Sequence, residues 1–138
     1  MPKKVKPQVR KSELPDDQHV QFSFKFYDSI RSDYCLSNGT PEQVRTALNR
    51  LKEISAKTFK QLQQERRVLH FGEVDWSETR EKEGFPDPQA NVLSAFHFAL
   101  LGVNGQLARV YAAWDGTTFY IVWFDLQHHI WPSVLRNT

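Results

Sequence analysis

The stretch AFHFALLGVNGQLARVYAAWDGTTFYIVWFDL, residues 95–126, decides the fold. Three runs rich in aromatic and β-branched residues, 95–103, 106–114 and 117–126, are separated by Asn104-Gly105 and Asp115-Gly116. Both dipeptides tolerate the positive φ that two-residue hairpin turns demand, so the pattern predicts an antiparallel three-stranded meander. With two-residue loops, Leu100 is expected to face Arg109, Phe98 to face Tyr111, and Tyr111 to face Tyr120. The period of two then sorts the side chains onto two surfaces. One carries Ala99, Leu101, Ala108, Val110, Ala112, Ile121 and Trp123, with several small residues that admit a helix. The other carries Phe98, Leu100, Arg109, Tyr111, Tyr120, Val122 and Phe124, and the same parity extended past the strand adds His128.

Upstream, Val20, Phe22, Phe24 and Phe26 alternate with Gln21, Ser23, Lys25 and Tyr27, which predicts a half-buried strand over 19–27. Asn38-Gly39 marks a turn, and Thr40-Pro41-Glu42-Gln43 supplies an N-cap, a proline at the first helical position and a glutamine that completes a capping box. Val44, Ala47, Leu48, Leu51 and Ile54 follow at spacings of three and four, one stripe of a helix. Ser55 or Thr58 caps a second helix carrying Phe59 and Leu62, which gives a helical hairpin. Residues 68–92 read as a long charged loop, with Pro86 and Pro88 opposing regular structure at its end. Residues 1–17, with three prolines and five bases, read as a disordered basic arm, leaving 18–138 as a single domain. The expected class is α+β: an N-terminal strand, a helical hairpin, then the meander, in one sheet with helices on one face.

A chain of 138 residues, 40% hydrophobic, has the size for one domain around one core. Cys35 is the only cysteine, so no intrachain disulfide forms and a reducing cytoplasm is the default location. The longest apolar run, 119–124, is far short of a membrane span or a secretion signal. The net charge of +2 hides a segregation of sign: residues 41–67 hold seven bases against three acids, while 73–88 hold six acids against Arg80 and Lys82. Arg45, Arg50, Lys57, Lys60, Arg66 and Arg67 are thus candidates to meet RNA phosphates, with Trp131 as a stacking platform. The same charges are compatible with a solvated helix face.

Arg109, Tyr111, Tyr120 and His128 put a cation, two phenols and an imidazole on one side of the expected sheet. Metal-free RNA cleavage needs a base for the 2′-hydroxyl, a cation for the crowded phosphate and an acid for the departing 5′-oxygen, so no cofactor is required. An alternative arrangement covers the sheet on both sides, packs Tyr111 and Tyr120, and pairs Arg109 with an acid. Asp125, His128 and His129 carry metal-ligand atoms but lack further donors at the spacing of a zinc site. Phosphate-binding glycine loops are absent.

The order of strand, helical hairpin and meander resembles the RelE/ParE-type toxin superfamily, as do Ala108-Arg109-Val110-Tyr111 entering a hairpin and His128 and Trp131 near the end of the chain. The resemblance implies a small metal-independent endoribonuclease that cleaves messenger RNA, often on the ribosome, and is held inactive by a cognate antitoxin. It makes Arg109, Tyr111, Tyr120 and His128 the matching catalytic positions. The arm and the acidic segment at 73–92 depart from that pattern. The acidic segment and the aromatic edge with Trp131 also fit a second function class, a noncatalytic protein-interaction module of a mobile-element or defence locus.

Overall fold

The computed structural model describes residues 18–100 and 108–131. The expected arm over 1–17 and the Asn104-Gly105 turn lie outside the described residues. Strands Gln21–Ser23 (β1), Gly72–Glu73 (β2), Ser94–Ala99 (β3), Arg109–Trp114 (β4) and Thr118–Asp125 (β5) form one mixed sheet in the order β1-β5-β4-β3-β2. The α+β class therefore holds, with antiparallel β3, β4 and β5 at the centre. Two short edge strands extend it, β1 running parallel to β5 and β2 antiparallel to β3. The first strand is shorter than the alternation implies because the Tyr27 N–H bonds back to the Phe24 carbonyl at 3.0 Å. That turn leaves Phe24 exposed and carries Phe26 onto the Tyr120 ring, 5.0 Å away between centroids.

Helices Pro41–Ser55 (α1), Phe59–Gln64 (α2) and Arg66–Leu69 (α3) follow their local signals. Thr40 and Gln43 cap α1 reciprocally, and Thr58 and Gln61 do the same for α2, each satisfying N–H groups that a helix start leaves open. Ala47, Leu51 and Ile54 of α1 and Leu62 of α2 are buried, whereas Leu48, expected in the stripe, is more than half exposed. The stretch 68–92 is not one long loop. It contains the end of α3, β2, a 3-10 turn at Trp76–Glu78, and Pro88–Asn91 (α4), where Pro88 sits in the first turn behind an Asp87 cap. A proline there costs no hydrogen bond, so it starts this helix instead of forbidding it.

The register differs from the two-residue-loop expectation, and the difference moves side chains between faces. His97 lies opposite Tyr111 and Phe98 opposite Val110, one residue off the expected pairing, so Phe98 and Leu100 turn to the helices. The second turn is also wider than two residues. Trp114 pairs with Phe119, and the Asp115 carboxylate accepts the N–H groups of Thr117 at 2.8 Å and Thr118 at 2.9 Å. A bulge then leaves Val122 without a partner between the pairs Ala112–Ile121 and Tyr111–Trp123. One extra residue reverses the alternation. Phe124 consequently joins the helix side and Trp123 the other.

Helices do not occupy one face only, and there are two apolar clusters, one on each side of the sheet. Under α1, α2 and α3 lie Phe98, Val110, Ala112, Phe119, Ile121 and Phe124. On the opposite face Ala95, Tyr111, Ala113, Val122 and Trp123 meet Tyr34, Val74, Phe85, Ala90 of α4 and Ile130. Each large side chain removed from water contributes about 1.5–3 kcal/mol, so both layers matter to stability. The second layer is pinned by polar contacts. Asp28, 7% exposed, accepts the Trp123 indole N–H at 2.7 Å and the N–H groups of Ile30 and Arg31. Arg31 forks onto Glu81 at 3.1 and 3.3 Å, and the Tyr34 hydroxyl donates to the same carboxylate at 2.5 Å.

Asp28→Ala should lower the unfolding free energy by about 1–3 kcal/mol, because a buried indole N–H and two backbone donors lose their acceptor. Ser29→Ala, at an exposed neighbour, should stay within about 0.5 kcal/mol of the parent in the same urea titration. Equal effects from the two would contradict the pinning role.

Candidate functional site

Beyond His97, β3 has no neighbouring strand on its outer side among the described residues, because β2 pairs only with Phe96 and His97. A groove of about 370 Å³ opens there, lined by Arg66, Arg67, His70, Phe71, Glu78, His97, Arg109 and Trp131. Each side chain is placed by a separate piece of local structure. Arg66 and Arg67 are exposed on the single turn of α3, and His70 is its left-handed C-cap, at φ 52° and ψ 40°. Phe71 is buried directly after it.

His97 points to the face away from α1. Its ring stacks on Tyr111 at 5.8 Å and meets the edge of Trp131 at 5.1 Å. Gly72 lies opposite His97, and a Cβ built there would stand 3.7 Å from His97 Nε2, an ordinary van der Waals contact. Arg109, 6% exposed, comes from the start of β4, opposite Asp125 in the register. Glu78 ends the 3-10 turn whose tryptophan, Trp76, packs against Phe85 and Trp123.

The groove gathers three guanidiniums, two imidazoles and one carboxylate around a Trp131 wall. Such a lining attracts an anion strongly, and planar guanidiniums match the oxygens of a phosphate. The imidazoles and the carboxylate can move protons beside it. Among the described residues no three His, Cys, Asp or Glu side chains gather as metal ligands, and no helix is long and apolar enough to cross a membrane. Asp125, a candidate ligand in the sequence, instead accepts the N–H groups of His129 at 2.8 Å and Ile130 at 2.7 Å.

The structure brings together Arg66, Arg67, Arg109 and Trp131 of the sequence candidates. Tyr111 does lie on the side away from α1, but that side is covered and the residue is 0% exposed. Burial drives its phenol well above the usual range, and its hydroxyl has no hydrogen-bond partner among the described residues. Tyr120 donates to Asp115 at 2.9 Å, a bond that raises its pKa and ties it to the turn far along β5. His128 adopts φ 60° in the turn after β5 and does not line the groove. Arg50 is buried and paired with Glu53 at 3.2 Å, Lys57 is paired with Glu65 at 2.9 Å, and Arg45 and Lys60 stand exposed on α1 and α2 away from the lining.

His70, Phe71, Glu78 and His97 are the groove residues outside the candidate set read from the sequence. His97 shares the parity of Ala99, so the expected register places it beneath the helices, and the observed register turns it to the other face. His70 carried a weak signal, an imidazole at the end of a helix where glycine is usual.

No protein-family model matches this chain, and no curated protein or solved structure is significantly similar to it.

Tyr111→Phe separates packing from proton transfer. Removing a buried hydroxyl that lacks a partner should leave the unfolding free energy unchanged or raise it by about 1 kcal/mol. A loss above about 1 kcal/mol in chemical denaturation would show that the hydroxyl is anchored after all.

Proposed function

We propose that this chain binds single-stranded RNA in the groove and cleaves it without a metal ion, the activity that its likeness to RelE/ParE-type toxins implies. One observation carries the reading: Arg66 and Arg67 from α3 and Arg109 from β4 converge on a single cavity that also holds His70, His97 and Glu78. In the reaction the 2′-oxygen bonds to phosphorus and gives its proton to a base in the groove. The bond from phosphorus to the 5′-oxygen breaks, and that oxygen takes up a proton. The products are a 2′,3′-cyclic phosphate and a 5′-hydroxyl. The guanidiniums offset the extra charge on the non-bridging oxygens as the phosphorus becomes five-coordinate, the step where fixed donors lower a barrier most. Trp131 offers a base a surface to stack on, worth about 1–3 kcal/mol.

The substrate on this reading is messenger RNA in the cytoplasm, free or on the ribosome, and a cognate antitoxin is the expected protein partner. With Tyr111 buried, Tyr120 bonded to Asp115 and His128 outside the groove lining, this reading assigns the chemistry to Arg109 with the residues around it.

A second reading, a noncatalytic protein-interaction module, draws on a different surface. Asp28, Glu81 and Glu83 line a cavity of about 430 Å³ with Arg31 and Phe85, and Ile30 and Val92, chain neighbours of its lining residues Arg31 and Asn91, are 90% and 82% exposed. It predicts no RNA cleavage under any condition.

Purified protein with a short single-stranded RNA in EDTA should yield cyclic-phosphate ends, with a 2′-deoxy replacement at the cut site blocking the reaction. Replacing both Arg66 and Arg67 with alanine removes exposed side chains and should leave folding intact. It should make the dependence of log affinity on log salt shallower by about 1.4, at about 0.7 per phosphate contact on a single strand. An unchanged slope, or no cleavage with or without ribosomes, would overturn the proposal.

A further inference from the structure

We infer that the groove beside β3 selects the end of an RNA chain that carries a phosphate monoester, in preference to an internal phosphodiester; this rests on the reading of the groove as an RNA phosphate site. Arg66 and Arg67 decide the preference. Both are exposed at the rim, and among the described residues neither belongs to an ion pair. Glu65, the acid next to them in the chain, is instead taken up by Lys57 at 2.9 Å. Arg66 donates one N–H to the Gln63 carbonyl at 3.1 Å, which steadies the side chain without neutralising it. Two permanent positive charges therefore stand over a cavity whose lining holds one carboxylate, Glu78.

The chemistry of the two phosphate types separates them. A phosphodiester spreads one negative charge over two non-bridging oxygens, which form a single edge for a guanidinium fork. One arginine saturates that edge. A terminal monoester carries about 1.5 to 2 negative charges at neutral pH on three oxygens, and so offers a further edge to each further fork. Arg66 and Arg67 occupy successive positions on one helical turn and line the same groove, so two forks reach one phosphate only if it has two edges to give. These two suffice without Arg109. The size agrees: at about 370 Å³ the groove lies at the small end of ligand cavities, with room for a phosphate and little more than one nucleoside. An internal phosphate must also accommodate backbone leaving in both directions, whereas a chain end leaves in one. Trp131 offers the terminal base its stacking surface.

Uncleavable 2′-O-methyl RNA of one sequence, made with a 3′-phosphate, with a 5′-phosphate or with hydroxyls at both ends, tests this when affinities are measured at one salt concentration. A hydroxyl-ended chain longer by one nucleotide adds a phosphate without adding a monoester. At least one monoester-ended chain should bind about tenfold or more tightly than the hydroxyl-ended chain, the scale of one further hydrogen bond to a charged group. Whichever end does so identifies the source of the phosphate. The longer chain should gain no more than about twofold, because a phosphate outside the groove is screened by salt. Replacing both Arg66 and Arg67 with alanine should erase the preference at an unchanged melting temperature. Arg45→Ala combined with Lys60→Ala, at exposed positions of α1 and α2 away from the lining, should keep it. Equal affinity for all ends, a gain matched by the longer chain, or a preference that survives loss of Arg66 and Arg67 would overturn the inference. Cleavage of RNA by a parent protein without the preference would overturn this inference alone, and failure to bind any of the chains would overturn the groove reading with it.

Discussion

The single unpaired residue at Val122 governs the arrangement of the whole molecule. Without that bulge, strict alternation along β5 would send Trp123 toward α1 and Phe124 away from it. With it, Val122 and Trp123 both face the second layer, and the indole reaches Asp28 across the sheet. Tyr34, Trp76 and Phe85 then gather on the Trp123 ring at centroid distances of 5.1, 6.0 and 5.3 Å. A segment dense in acids and prolines thereby acquires an apolar anchor. The Arg31, Glu81 and Tyr34 contacts complete the attachment at its rim.

The groove follows from the same arrangement. Trp76 stands on the second layer, so the 3-10 turn that contains it presents Glu78 beside His97 and Arg109. On the helix side, α3 is a single turn that ends on His70, which drops Phe71 into the core and leaves Arg66 and Arg67 at the rim. The brevity of β2 keeps the edge open between the two. Cationic groups are thus held by rigid elements from both layers, one by the strand, two by the helix.

Much of this was legible in the sequence wherever the signal was local. Thr40 to Gln43 announced α1, Thr58 announced α2, and the aromatic runs announced the three central strands. What failed depended on pairing between distant segments. A one-residue shift between β3 and β4 and the bulge in β5 each exchange faces, and neither leaves a mark in composition. The candidate set therefore mixed true neighbours, Arg66, Arg67, Arg109 and Trp131, with Tyr111, which lies behind the groove, and Tyr120, which lies at a remote turn. The sequence is compatible with a covered second face, but its anchors at Asp28 and Glu81 are side-chain contacts across many residues that no local pattern encodes.

On the proposed function, the groove beside β3 holds a phosphodiester. A crystal structure with a short 2′-O-methyl RNA, which binds but lacks the nucleophile, tests it most directly. The expected result is a backbone phosphate in contact with Arg66, Arg67 and Arg109 and a neighbouring base against Trp131. An RNA bound on the exposed side of α1, or a groove left unoccupied at saturating RNA, would contradict it.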